Sequence, residues 1–226
     1  MSAWWNEWSS YRPADFLMFA PRLYWRLFES LNLAFWPLQV GIVVAGVVWL
    51  CWVWRDGGTP GRSAAPATLA ALALGWALTA SAFLWQRLAP IHWLAGNIAP
   101  LFLLQAAALL ALAGHGAVQL RRDGLRRTVG LCLLAWALLL HPLLAGLAGR
   151  AWTQAEIVSL ASDPTAIATL GLLLLLRGPR WPMRALWAVP LAWCALSAAT
   201  LWTMGSAQGW VLGAAVLLAL VAARRG

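Results

Sequence analysis

Lysine is absent from this 226-residue chain, and acidic residues number only seven. Charged residues make up 10% of the whole, where a soluble domain carries about 25%. That scarcity excludes a soluble globular domain, and no polar stretch is long enough to fold alone. The three cysteines, Cys51, Cys132 and Cys194, show no CxxC spacing, which excludes a disulfide framework or a zinc ribbon. Each falls in an apolar run and reads as a small packing residue. Histidine is also rare: His92, His115 and His141. His115 is too far along the third span to share an iron with His92. His92 and His141 fall on one side, but no CxxCH accompanies them, so haem is not expected. GxSxG, HExxH and P-loop patterns are missing, and no two acids are arranged for acid–base work. The sequence therefore offers no catalytic residues, no cofactor and no metal site, and points away from an enzyme. It also lacks the basic start and small-residue cleavage site of a signal peptide.

All sixteen basic residues are arginine, and the net charge is +9. Nucleic acid is not the expected partner, because the arginines sit in short loops between apolar runs, where they act as topology signals. What fills the chain is apolar: 62% hydrophobic residues and a mean hydropathy of +0.73. A hydrocarbon core about 30 Å thick needs about 20 helical residues to cross. Seven runs meet or approach that length: 32–54, 67–86, 94–114, 128–148, 157–176, 185–204 and 207–223. The fifth and seventh are the shortest in apolar content, and the fifth is interrupted by Asp163-Pro164. The expectation is an all-α polytopic bundle of about seven spans.

Eleven arginines fall in loops on one side of these spans: Arg55, Arg62, Arg121, Arg122, Arg126, Arg127, Arg177, Arg180, Arg184, Arg224 and Arg225. The opposite inter-helix loops hold Arg87 and Arg150. The positive-inside rule puts the eleven in the cytoplasm of a bacterial inner membrane, with the N-terminus outside and the C-terminus inside. Ahead of the spans, residues 1–31 form a separate segment from the transmembrane part, 32–226. Within it Phe16, Phe19, Leu23, Leu27 and Leu31 recur at helical spacing, flanked by aromatics and arginines. Such a stripe suits an amphipathic helix lying in the membrane interface, as an anchor or as a lid.

Polar residues recur inside the apolar runs. LNLAFWPLQVGI at 31–42, GNIAPLFLLQAA at 96–107 and SDPTAIATLGLL at 162–173 each open on Asn or Asp, with a proline and then Gln or Thr farther in. Asn97 follows Asn32 by 65 residues, and Asp163 follows Asn97 by 66. GWALTASAFLW, AWALLLHPLLAG and AWCALSAATLW interleave with them. The spacing is that of a threefold repeat of helical hairpins. Trp76, Trp136 and Trp193 fall near mid-span in the second set, where each indole N–H needs a partner.

The N-terminal block Tyr11-x3-Asp15-Phe16-Leu17-x-Phe19-x-Pro21-Arg22-x-Tyr24-x-Arg26-Leu27-Phe28-Glu29-x2-Asn32 carries a resemblance, continued by Trp36-Pro37-x-Gln39, Asn97…Gln105, His141-Pro142-Leu143 and Asp163-Pro164-Thr165-x3-Thr169-x-Gly171. In this order the pieces resemble a family of bacterial multipass membrane proteins without an established function. The resemblance implies a membrane location and supplies no reaction. It implies Cys-Pro-Thr where this chain has Asp163-Pro164-Thr165, so no cysteine chemistry carries over.

By depth, Asn32, Gln39, Asn97, Gln105, His141, Asp163 and Thr169 all fall toward the outer leaflet. They are the candidate ligand-binding residues, and Asp163 is the one acid expected inside a span. Two readings stand open. Interhelical hydrogen bonds and helix caps account for such residues as structural glue. Costly polar groups at one depth, beside prolines, also mark the pathways of carriers. The leading expectation is a carrier or channel for a small solute with a polar cavity open to the outer side. The alternative is a non-transporting subunit or sensor that binds a protein partner or an apolar ligand through its Trp-rich helices. Beyond the bilayer, the sequence identifies neither solute nor partner.

Overall fold

The computed structural model describes residues 19–55, 64–116 and 118–225. Helix α1 spans Pro21–Ala34, with proline in its first turn, where the missing N–H costs nothing. Helix α2 is Leu38–Arg55. Helix α3 is Ala64–Leu88, turning from α to π geometry at Thr79. Helix α4 is Trp93–Gly114, with Pro100 inside it. Helix α5 is Leu125–Ala135, prolonged by a π-helical turn at Trp136–Leu140, and the short helix α6 is Leu144–Leu147. Helices α7, Ser162–Leu175, α8, Arg180–Thr203, and α9, Gln208–Arg225, complete the order. Strands β1, Gln119–Leu120, and β2, Leu176–Arg177, form one antiparallel pair with Gln119 opposite Arg177.

The fold is all-α, and α2, α3, α4, α8 and α9 are long and apolar enough to cross a membrane. This is the build of a membrane protein. Two of the seven expected spans take another form. The fourth, expected over 128–148, is α5 with its π turn, after which the chain bends at 141–143 into α6. The fifth, expected over 157–176, does not begin as a helix until Ser162. At 1.5 Å per residue, α7 is roughly 21 Å long, short of a bilayer core. Its surroundings explain this: all fourteen of its residues are buried in protein, so lipid thickness does not set its length.

Among the described residues, the arginine-rich loops gather at one end of the bundle. The β1–β2 pair joins two of these loops. Arg126 donates to the Ala223 carbonyl near the end of α9. Arg127 donates to the Val53 carbonyl near the end of α2, at 2.7 Å, and to the Arg121 carbonyl at 2.9 Å.

At the centre, α7 is walled by α3, α5, α8 and α9. Gly130 of α5 and Gly171 of α7 meet backbone to backbone. A Cβ on Gly130 would lie 2.7 Å from the Gly171 carbonyl oxygen, and one on Gly171 would lie 2.8 Å from that of Gly130. Only glycine on both sides permits this approach. On another face, the Trp76 and Trp193 rings contact Phe102 edge-on, at 4.5 and 5.0 Å between centroids.

The amphipathic segment is described only in part. Its part before residue 19 lies outside the described residues. In α1 the buried face is Tyr24, Phe28 and Leu31, while Leu23 is exposed. The partner decides this: Phe28 stacks on Phe83 of α3 at 4.8 Å, and Tyr24 packs edge-on against Phe28. Aromatic pairs add to area burial, and Phe19 and Leu31 of the expected stripe are buried with this face.

The three polar openings of the sequence repeat take unlike places. Asn32 lies near the C-terminal end of α1, Asn97 in the second turn of α4, and Asp163 in the first turn of α7. The interleaved set is alike in two members: α3 and α5 each turn π-helical after or at their tryptophan. Helix α8 instead breaks at Leu186–Trp187.

Candidate functional site

The break ahead of α7 builds the site. Residues 155–161 are non-helical yet mostly buried. Such backbone survives at membrane depth only if its polar groups find partners in protein. Here they do: Leu160 N and Ala161 N donate to the Ile157 carbonyl, and Ser159 N donates to the Thr165 hydroxyl at 2.7 Å. Ser159 takes a left-handed φ of 72°, a conformation that a non-glycine residue adopts only when its surroundings impose it. The loop carries Glu156, 3% exposed, into the bundle. Asp163 follows, twelve residues or roughly 18 Å from the far end of its helix.

Asp163 caps nothing on α7. Its carboxylate turns to α8, accepting from Trp193 Nε1 at 2.8 Å and from Ser197 Oγ at 2.9 Å. Glu156 lies between two cations or proton carriers: His141 Nε2 is 3.6 Å from one oxygen and Arg150 Nη2 is 3.7 Å from the other. Arg150 also lies over the Trp25 ring of α1, 3.6 Å from its centroid. Burial pulls the Arg150 guanidinium below its usual pKa, and the Glu156 carboxylate opposes this. Both ring nitrogens of His141, Nε and Nη2 of Arg150, and the Ser162 hydroxyl are buried without a hydrogen-bond partner. Unmet capacity of this kind in a protein interior needs an explanation, such as water, an ion or a ligand.

The expected site residues divide into groups. Asp163 and His141 join the buried cluster. Asn32 and Gln39 brace it: Asn32 Nδ2 donates to the Thr153 and Ala155 carbonyls at 2.8 Å, and Gln39 Nε2 donates to the Asn32 carbonyl. They pin the loop that delivers Glu156. Thr169 lies deeper on α7, bonding the Thr165 carbonyl and accepting from Trp76 Nε1 at 2.8 Å. Gln105 is elsewhere, joining α4 to α8 through the Leu186 carbonyl at 3.0 Å. Asn97 is on the exposed face of α4. Neither Gln105 nor Asn97 enters the cluster.

Glu156 is the main addition, and it corrects the expectation that Asp163 is the one buried acid. Trp193, Ser197 and Tyr24 also enter. A sequence signal for Glu156 exists: AEIVSLASDP sets two acids seven residues apart in an apolar stretch. A cleft of about 40 Å³ approaches Asp163 from the end opposite the arginines, bounded by Tyr24, His92, Trp193, Ser197 and Thr200. It has room for water, and α1 covers it. A second, larger cavity of about 610 Å³ lies between α2 and α3 and is almost wholly apolar. Its wall includes Val158 and Ser159 of the same loop.

Among known proteins, the family described as "Family of unknown function (DUF6064)" matches residues 22–225. No curated protein and no solved structure matches the chain.

Proposed function

The chain belongs to that family of unknown function, and we propose that it is an integral membrane carrier that moves a small polar solute in exchange with protons. The observation that supports this is the ionisable cluster at the broken span. A membrane pass interrupted by buried non-helical backbone, with a helix starting inside the bundle, is how many carriers build a solute site. Ionisable residues at such depth are costly and concentrate in proton and solute paths. Charge balance favours protons. Arg150, Glu156 and Asp163 together carry one formal negative charge, which one bound proton cancels. A neutral cluster is the cheaper one to hold out of water.

In this reading the cleft at Ser197 and Thr200 is the narrow remnant of an opening on the outer side, with α1 as its lid. The arginine-rich end faces the cytoplasm of a bacterial inner membrane. A reporter fused at Gly124 tests that orientation, and a cytoplasmic signal is expected.

The transport test uses single cysteines in a chain lacking Cys51, Cys132 and Cys194. Ser197→Cys and Thr200→Cys should react with a membrane-impermeant thiol reagent, Thr200→Cys faster. In proteoliposomes holding a pH-sensitive dye and a mixture of amino acids, sugars and organic acids, the protein should discharge an imposed pH gradient as solute exchanges for protons. Glu156→Gln and Asp163→Asn should stop it. Unreactive cysteines in folded protein, or proton flux indifferent to both substitutions, would remove the carrier reading. A second reading, an apolar-ligand binder without transport, is favoured by the cavity between α2 and α3.

A further inference from the structure

Helix α2 is the least buried of the five long helices and leans on the bundle chiefly at α5. The gap this leaves against α3 is the cavity of about 610 Å³, within the range of ligand pockets. Ile42 and Trp49 line it from α2, Ala67 and Ala71 from α3, and Leu138 and Leu172 from behind. The alanines keep the trough open along its length. From Ile42 to Trp52 it runs roughly 15 Å along α2.

One end of this trough is cationic. Arg55 lies one turn beyond Trp52. Arg127 is buried and bonds the carbonyls of Val53 and Arg121. It meets no acid among the described residues. Arg121 Nε is buried without a partner. Burial, then the nearby charges of Arg126 and Arg177, lowers the pKa of Arg121. Among the described residues the nearby acid Asp123 is exposed and pairs with Arg177, at 4.0 Å. An apolar trough ending at guanidinium groups that meet no acid among the described residues calls for a ligand with a hydrocarbon chain and an anionic head.

We infer that this groove binds one anionic phospholipid, drawn from the leaflet on the arginine-rich side. Its acyl chain lies between α2 and α3, and its phosphate lies against Arg55 and Arg121. Guanidinium groups suit phosphate oxygens, and basic pockets between membrane helices hold anionic headgroups. A zwitterionic lipid would bring an ammonium to the same cations and bind more weakly. The site is separate from the polar cluster and stands whether or not the chain is a carrier.

The test is native mass spectrometry of the full chain with phosphatidylglycerol and phosphatidylcholine of identical acyl chains. One phosphatidylglycerol should be retained, about tenfold in preference to phosphatidylcholine. The pair Arg55→Gln and Arg121→Gln should abolish that preference while leaving weak binding. Ala71→Phe, placed on an open wall, should displace both lipids. A second measurement covers a variant that fails to fold: phosphatidylglycerol with brominated chains should quench the native protein's fluorescence, and less so in the folded Trp49→Phe, Trp52→Phe double variant. Equal retention of the two lipids, retention indifferent to Ala71→Phe, or quenching independent of Trp49 and Trp52 would overturn the assignment.

Discussion

At the scale of the residue, two tryptophans hold α7 by unlike bonds. Trp193 donates to the carboxylate of Asp163, and Trp76 donates to the hydroxyl of Thr169. Thr169 keeps its own bond to the Thr165 carbonyl without Trp76, whereas Asp163 without Trp193 keeps only Ser197. Hydrogen bonds to charged groups contribute about 1.5–3 kcal/mol and neutral ones about 1 kcal/mol. Trp193→Phe should therefore lower the thermal midpoint in detergent more than Trp76→Phe, both rings still packing on Phe102. Equal losses would mean that Asp163 is not an anion in the fold. Asp163 and His141 were legible in the sequence because each interrupts an apolar run. Glu156 was marked only by its seven-residue spacing from Asp163, because it stands ahead of the run and is carried inward by a loop. Loops have no hydrophobic period that would betray their depth.

Among the elements, the α5–α7 crossing has the narrowest tolerance. Gly171→Leu or Gly130→Val would force the two backbones apart at this close contact. Folded yield should fall sharply for either, measured by size-exclusion chromatography in detergent. Gly41→Ala and Gly213→Ala meet nothing within 4 Å. They should leave yield unchanged or raise stability by up to about 1 kcal/mol through helix propensity. The five long helices were readable from apolar length alone, since lipid thickness dictates that length. Helix α7 obeys protein packing instead, so its 14 residues and the break before it carried no such signature. The face of α1 was likewise settled by Phe83, a residue more than fifty positions away. Gln105 and Asn97 show the limit of reasoning by depth: helical phase turns one to α8 and the other outward.

For the whole molecule, the loop 155–161 has two sides. One bears Glu156 in the polar cluster, and the other supplies Val158 and Ser159 to the wall of the apolar groove. Gly75 of α3 presses on Ser159 so closely that a Cβ there would collide with its side chain. The loop therefore cannot shift toward either space without altering both. Thermodynamic reciprocity follows. If a lipid in the groove changes the cluster's affinity for a proton or solute by some factor, that proton or solute changes lipid affinity by the same factor. Lipid retention, read by native mass spectrometry, should then differ between the native chain and Glu156→Gln. Equal lipid retention in the two would show that the two sides of the loop move as strangers.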